Sequence, residues 1–157
     1  MRASPVPPPL WMLLFAAAEW LLARHLPLLR DPTAVHVALG EAVMFAALVP
    51  LLAAFTQFLL AHTTVNPHRP EKAAVLVTSG VYAWTRNPMY LGLWLLLLGW
   101  AIRLAALSAL LVALLFLPLI SAVQIRAEEQ ALQGRFGADY ERYRGRVRRW
   151  FGRRART

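Results

Sequence analysis

The feature that most constrains this chain is an almost continuously apolar run over residues 89–125, interrupted by Arg103. As a single α-helix the run would be about 55 Å long at roughly 1.5 Å per residue, whereas the hydrocarbon core of a bilayer is about 30 Å thick. The run therefore predicts two membrane helices joined by a turn near Arg103.

Two further apolar segments precede this run, and 59% of all residues are hydrophobic, against about 45–50% in soluble domains. We therefore expect an all-α fold, an integral membrane helical bundle of about four transmembrane helices with a C-terminal helical tail, in a single domain over residues 1–157. The second segment is longer than a bilayer requires, so its helix must tilt, kink at Pro50 or protrude. The predicted crossings are residues 10–29, 34–61, 89–102 and 104–125.

The positive charge is concentrated at the C-terminus, where residues 126–156 hold ten of the 17 Lys and Arg. An even number of crossings puts both termini on one side. Because Lys and Arg are enriched in cytoplasmic loops, residues 62–88 and both termini are predicted to be cytoplasmic in a multi-pass protein of a bacterial inner membrane. The tail is expected to meet anionic membrane lipid rather than nucleic acid. The oligomeric state is left open.

The residue types present exclude several kinds of chemistry. With no cysteine, the chain has no disulfide, thiolate metal site or cysteine nucleophile, and no metal site is expected. No G-x-G-x-x-G follows a predicted strand, which excludes a Rossmann fingerprint. Glu19 and Glu41 lie within the first two predicted crossings, where we favour a structural role.

The segment VTSGVYAWTRNPMYLG, residues 77–92, mixes turn residues with polar-edged aromatic residues. Gly80 permits a backbone conformation that other residues resist, and Pro88 marks a helix start. Each aromatic residue alone is typical of a membrane-interface belt. Together with a second polar segment on the same side, however, the set favours a binding site.

That second segment, residues 122–147, begins where the last crossing leaves the membrane. On a continuous helix Gln124 and Glu128 lie one turn apart on the same face, whereas we expect Glu129 to be solvated. A carboxylate at a half-dry membrane surface needs a partner, so Glu128 predicts a cationic or hydroxyl-rich ligand.

The ordered pair LVTSGVYAWTRNPMYLG and EEQALQGRFGADYERY, separated by one apolar hairpin, resembles the isoprenylcysteine carboxyl methyltransferase family. This family belongs to a wider group of small membrane methyltransferases that includes phospholipid N-methyltransferases. The resemblance implies an S-adenosylmethionine pocket built from residues 62–90 and 124–147. By the same resemblance, the cofactor-binding positions are Ala74, Val75, Leu76, Val77, Tyr82, Asn87, Pro88, Met89, Tyr90 and Glu128.

Arg86, Asn87 and Tyr90 match the family's Arg-His-Pro-x-Tyr motif and are the candidates for a catalytic role, which the sequence leaves unassigned. The chain departs from the family at two positions. Asn87 replaces the usual histidine, and Gln124 occupies the position of a substrate-binding arginine in the prenylcysteine enzymes. Gln124 is therefore the candidate substrate-binding residue.

The expected reaction is methyl transfer to a lipophilic acceptor that enters sideways from the bilayer. A carboxylate acceptor is favoured because it needs no general base and loses its charge as the methyl moves. Two alternatives remain: N-methylation of a phospholipid or other amine, and a non-catalytic membrane protein that keeps the fold for lipid or partner binding.

We predict that single cysteines placed at Thr63 and Thr157 will react with a membrane-impermeant thiol reagent only after cells are opened. The chain contains no cysteine of its own, so each label reports one position. Labelling of either position in intact cells would contradict the predicted orientation.

Overall fold

The computed structural model describes residues 6–61 and 75–153, and this part of the chain is helical with one isolated β-bridge between Val147 and Arg153. The all-α prediction is confirmed for these residues. Ala74, Thr63 and Thr157 lie outside them. The helices are α1 (Pro8–His25), α2 (Ala34–Leu60), α3 (Pro88–Leu104), α4 (Leu107–Ile120), α5 (Arg126–Phe136) and α6 (Ala138–Arg146), with a 3₁₀ turn at Gly80–Ala83 and a π-helical turn at Ser121–Ile125.

The first helix differs most from the sequence prediction, because α1 ends at His25 and not at Leu29. Pro27 cannot continue the helical hydrogen bonding, and Leu29 has a positive φ of 46°. The second predicted crossing, residues 34–61, matches α2 to within one residue, and Pro50 lies inside α2 without ending it.

The predicted turn near Arg103 is present. Helix α3 ends at Leu104, Ala105 has a positive φ of 50°, and α4 begins at Leu107. The Trp94 indole N–H of α3 donates to the Ala113 carbonyl of α4 at 3.1 Å, so the two helices lie side by side. The apolar run is therefore a hairpin.

Two helical stretches are long and apolar enough to cross a membrane, judged by length and composition: Ala34–Leu60 and Leu107–Phe136. Helix α3 is apolar but shorter, with 17 residues. The second stretch combines α4, the π-helical turn and α5, and its apolar residues lie at the α4 end. Its polar end carries the second motif.

The described residues form two compact groups, so the prediction of a single domain remains untested. The first group contains Val6–Val49 and Gly92–Ile120. There α1 packs against α4, with the rings of Phe15 and Phe116 edge to face at 5.3 Å. Glu19 is fully buried in this group, and neither carboxylate oxygen has a hydrogen-bond partner among the described residues.

Helices α2 and α3 cross at two glycines. A Cβ atom on Gly40 would lie 2.6 Å from the Gly99 carbonyl oxygen and 2.8 Å from the Arg103 amide nitrogen. Both neighbours are backbone atoms that cannot rotate away. At the next residue of α2, Glu41 pairs with Arg103 at 3.4 Å, but both side chains are about half exposed, so the pair adds little stability.

Gly40→Ala should lower the free energy of unfolding by about 1–3 kcal/mol, because overpacking forces the two backbones apart. The control is Gly134→Ala, since that exposed helical position has no atom within 4 Å of an added Cβ and should be neutral or stabilising. Thermal unfolding of the purified proteins in detergent measures both. Equal melting temperatures would show that the helices do not cross there.

Candidate functional site

The candidate site lies in the second compact group, which includes the described residues 50–61, 75–91 and 121–153. Its first part is the turn before α3. Gly80 has a φ of 57°, and an added Cβ would lie 2.5 Å from the Gln57 amide nitrogen. The Ser79 hydroxyl donates to the Gln57 side-chain oxygen at 3.1 Å. The positive φ favours glycine at this position, where the 3₁₀ turn Gly80–Ala83 begins.

The turn directs Tyr82 into a buried aromatic cluster. Its ring meets Phe58 edge to face at 5.4 Å and packs with Tyr140 and Tyr143. The Tyr143 hydroxyl donates to the Tyr82 carbonyl oxygen at 2.8 Å. Burial raises the pKa of both Tyr82 and Tyr143 well above the usual range, so both hydroxyls stay protonated and can donate.

Tyr90, Gln124 and Glu128 form a hydrogen-bond network between α3 and the helix after the hairpin. One Glu128 oxygen, Oε1, accepts from the Tyr90 hydroxyl at 2.5 Å and from the Gln124 amide nitrogen at 2.8 Å. The predicted contact between Gln124 and Glu128 is therefore present. Gln124 is fully buried, and its carbonyl oxygen has no hydrogen-bond partner within residues 6–61 and 75–153.

Glu129 belongs to a second network and is not the solvated charge expected from the sequence. Its side chain is 15% exposed and forms a salt bridge with Arg86, in which Arg86 Nη1 lies 3.0 Å from Glu129 Oε1. Arg149 contacts the same carboxylate with two nitrogens, at 2.6 and 3.1 Å. These hydrogen bonds raise the pKa of Arg149, so its guanidinium stays charged. Arg86 also donates to the Tyr140 hydroxyl at 3.2 Å, which ties the network to the aromatic cluster.

Asn87 precedes Pro88 at the start of α3, and its side chain is held within the chain. Its amide nitrogen donates to the Arg149 carbonyl at 3.3 Å, while its backbone N–H donates to the Thr85 hydroxyl at 3.2 Å. One hydrogen of the Asn87 amide is thus already used. The other hydrogen and the carbonyl oxygen are the groups that remain for a ligand.

The other predicted cofactor positions fall into two sets. Leu76, Val77 and Met89 pack against the Tyr82 cluster, and Pro88 is fully buried at the helix start. Val75 is 50% exposed, and Ala74 lies outside the described residues. The structure therefore brings Tyr82, Arg86, Asn87, Tyr90, Gln124 and Glu128 into one compact group.

Sequence reasoning missed Glu129, Tyr140, Tyr143 and Arg149. A sequence signal existed for the two tyrosines, because residues three apart on a helix share a face. None existed for Arg149, since it is one of ten cationic residues in the tail and lies beyond the predicted 124–147 region.

Comparison with known proteins identifies the family. A model of the phospholipid methyltransferase family matches residues 35–139, which is most of the chain and includes both motifs up to α6. The chain belongs to the phospholipid methyltransferase family.

Three relatives extend this result. The chain is 29% identical over 110 residues to protein-S-isoprenylcysteine O-methyltransferase of Saccharomyces cerevisiae, covering 66% of this chain and 46% of the yeast protein. It is 36% identical over 77 residues to the Schizosaccharomyces pombe protein of the same name, covering 49% of this chain and 33% of that protein. An uncharacterized protein of Haemophilus influenzae is 44% identical over 62 residues, 40% of this chain and 98% of its own length.

The chain therefore spans less than half the length of either named methyltransferase. The resemblance to the isoprenylcysteine carboxyl methyltransferase family predicted from the two motifs is confirmed. The two named relatives are methyltransferases, which indicates that this chain is a methyltransferase as well. Its apolar helices are consistent with a membrane location.

Glu129→Gln should lower the free energy of unfolding by about 1–3 kcal/mol, because it weakens hydrogen bonds to the buried Arg86 and the partly exposed Arg149 and leaves their charges uncompensated. Glu141→Gln removes the same charge from an exposed position of α6 and should change stability by less than about 0.5 kcal/mol. Thermal or denaturant unfolding compares the two. Similar effects in both variants would show that Glu129 is as solvated as Glu141.

Proposed function

We propose that this protein is an S-adenosylmethionine-dependent methyltransferase acting on a lipophilic acceptor within the membrane. The observation that carries the proposal is the acceptor-rich network of Tyr90, Gln124 and Glu128. Its carboxylate and the partnerless Gln124 carbonyl oxygen call for a ligand that donates hydrogen bonds. Family membership and the similarity to two O-methyltransferases support the reaction type.

We further propose four membrane crossings, formed by α1, α2, α3 and α4, with the termini and the cofactor site in the cytoplasm of a bacterial cell. Two membrane-length helices, the apolar α3 and the concentration of cationic residues after residue 125 support this arrangement. In such an arrangement a lipophilic acceptor reaches the site laterally, from the bilayer.

The residues present fit the cofactor by chemical type. Its amino group and ribose hydroxyls donate hydrogen bonds, for which Glu128 and the Gln124 carbonyl are acceptors. Leu76, Val77 and Met89 offer apolar side chains to the adenosine. When bound, S-adenosylmethionine would supply a methyl group on a positively charged sulfur, from which a nucleophile takes the methyl carbon while the neutral thioether leaves with the electrons of the broken C–S bond.

The residues of the chain then orient the cofactor and the acceptor and exclude water from them. These two effects can account for much of the rate of such a displacement. Tyr90 donates to Glu128 and holds its carboxylate in one position. Asn87 is fixed at the start of α3 by its bond to the Arg149 carbonyl and offers its remaining polar atoms to the reacting groups. Arg86 forms a salt bridge with Glu129, so its role in this scheme is structural.

The acceptor class follows from what surrounds Gln124. The first candidate is a carboxylate, as in the isoprenylcysteine O-methyltransferases that the chain resembles. A second candidate, an amine, is favoured by the site itself, because Gln124 is uncharged and its nitrogen is committed to the Glu128 carboxylate. A neutral amine that carries an N–H can donate to the Gln124 carbonyl oxygen, whereas a carboxylate offers no donor for it.

Membranes containing the wild-type protein should transfer labelled methyl groups from S-adenosylmethionine to extractable lipid, and Glu128→Ala should lose this transfer. Removing a charged hydrogen-bond acceptor should weaken cofactor affinity by about ten- to a hundred-fold. Base treatment of the product separates the candidates, since a methyl ester releases labelled methanol and an N-methyl group does not.

The matched control is Glu141→Ala, which removes an exposed glutamate and should keep wild-type transfer. Cofactor binding without any labelled product would favour the non-catalytic alternative. Absence of cofactor binding by calorimetry in the wild-type protein would overturn the proposed function.

A further inference from the structure

The chain after α6 folds back on itself as a small hook, residues 147–153. The hook is closed by the bridge between Val147 and Arg153 and by the Arg148 N–H, which donates to the Gly152 carbonyl at 3.0 Å. Five residues therefore separate two ends that touch.

The carbonyl groups of the hook meet the segment that precedes α3. The Arg86 N–H donates to the Arg148 carbonyl at 3.2 Å. The Arg149 carbonyl accepts from the Thr85 hydroxyl at 3.1 Å and from the Asn87 amide at 3.3 Å. In the opposite direction, the Gly152 N–H donates to the Trp84 carbonyl at 2.9 Å. Four successive residues, 84–87, are thus each hydrogen-bonded to the hook.

The Arg149 side chain fixes the hook to a third element. Its guanidinium makes two hydrogen bonds to Glu129 of α5, and Glu129 also holds Arg86. The contacts form a closed circuit, because Arg86 touches the hook with its backbone and Glu129 with its side chain. The Arg149 side chain is 30% exposed and that of Glu129 is 15% exposed, so solvent screens this pair less than it screens a surface pair.

We infer that Arg149 is a positioning residue for the cofactor pocket and that residues 147–153 act as a clamp on residues 84–87. The cofactor part of this inference rests on the proposed function. The physical reason is preorganisation, since a segment already held in its binding geometry loses less conformational entropy when a ligand binds. Arginine suits this role better than lysine because its planar fork matches both carboxylate oxygens.

The test compares three variants of the full-length protein in detergent: Arg149→Ala, Arg149→Lys and the control Arg146→Ala, which removes an exposed cation at the end of α6. Hydrogen–deuterium exchange of peptides covering residues 84–87 reports the clamp without any ligand. Calorimetry with S-adenosylmethionine, performed well below each melting temperature, reports the pocket.

We expect Arg149→Ala to speed exchange at residues 84–87 and to weaken S-adenosylmethionine binding by about ten- to a hundred-fold. Arg149→Lys keeps the charge but loses the two-pronged contact, so its loss of affinity should be about two- to ten-fold. Arg146→Ala should behave as wild type in both measurements. If Arg149→Ala yields no folded protein, Arg149→Lys against Arg146→Ala decides the question.

Exchange at residues 84–87 that is equal in the Arg149 and Arg146 variants would overturn the clamp. Faster exchange with unchanged S-adenosylmethionine affinity would overturn the positioning role. Failure of the proposed function has a different signature: the wild-type protein itself would not bind S-adenosylmethionine, while the exchange rates would still show whether the clamp exists.

Discussion

The candidate site depends on one carboxylate shared between two arginines. Glu129 of α5 binds Arg86, which precedes α3, and Arg149, which follows α6. These three residues are far apart in sequence, and each belongs to a different segment. Apolar packing is non-directional, whereas a forked contact between guanidinium and carboxylate defines an orientation. The ion pairs therefore specify how the segments meet.

Glu128 and Glu129 are adjacent in sequence but have different partners. Successive residues of an α-helix point about 100° apart, so the two carboxylates face different neighbours. Glu128 accepts hydrogen bonds from two neutral side chains, Tyr90 and Gln124. Glu129 pairs with two cations, Arg86 and Arg149. A compensated charge is suited to structure, and an uncompensated one to ligand binding. The division of roles between the two glutamates follows from this difference.

The sequence predicts much of the architecture, for identifiable reasons. The hairpin follows from the length of the apolar run, and the contact between Gln124 and Glu128 follows from helical spacing. The early end of α1 and the role of Glu129 were not predicted. Helix ends depend on single residues such as Pro27, and the partner of a charged side chain depends on tertiary contacts with residues 20 or more positions away. Spacing within one helix carries no information about such partners.

The π-helical turn at Ser121–Ile125 affects how the chain can change in length. A π-helical turn holds one more residue than an α-helical turn over nearly the same rotation and rise, so the extra residue is accommodated within the turn. Loss of a residue between this turn and Glu128 would instead rotate Glu128 and Glu129 by about 100° around the helix and take both away from their partners. In evolutionary terms, a deletion of one residue should be tolerated within residues 121–125 but not in the α-helix that follows.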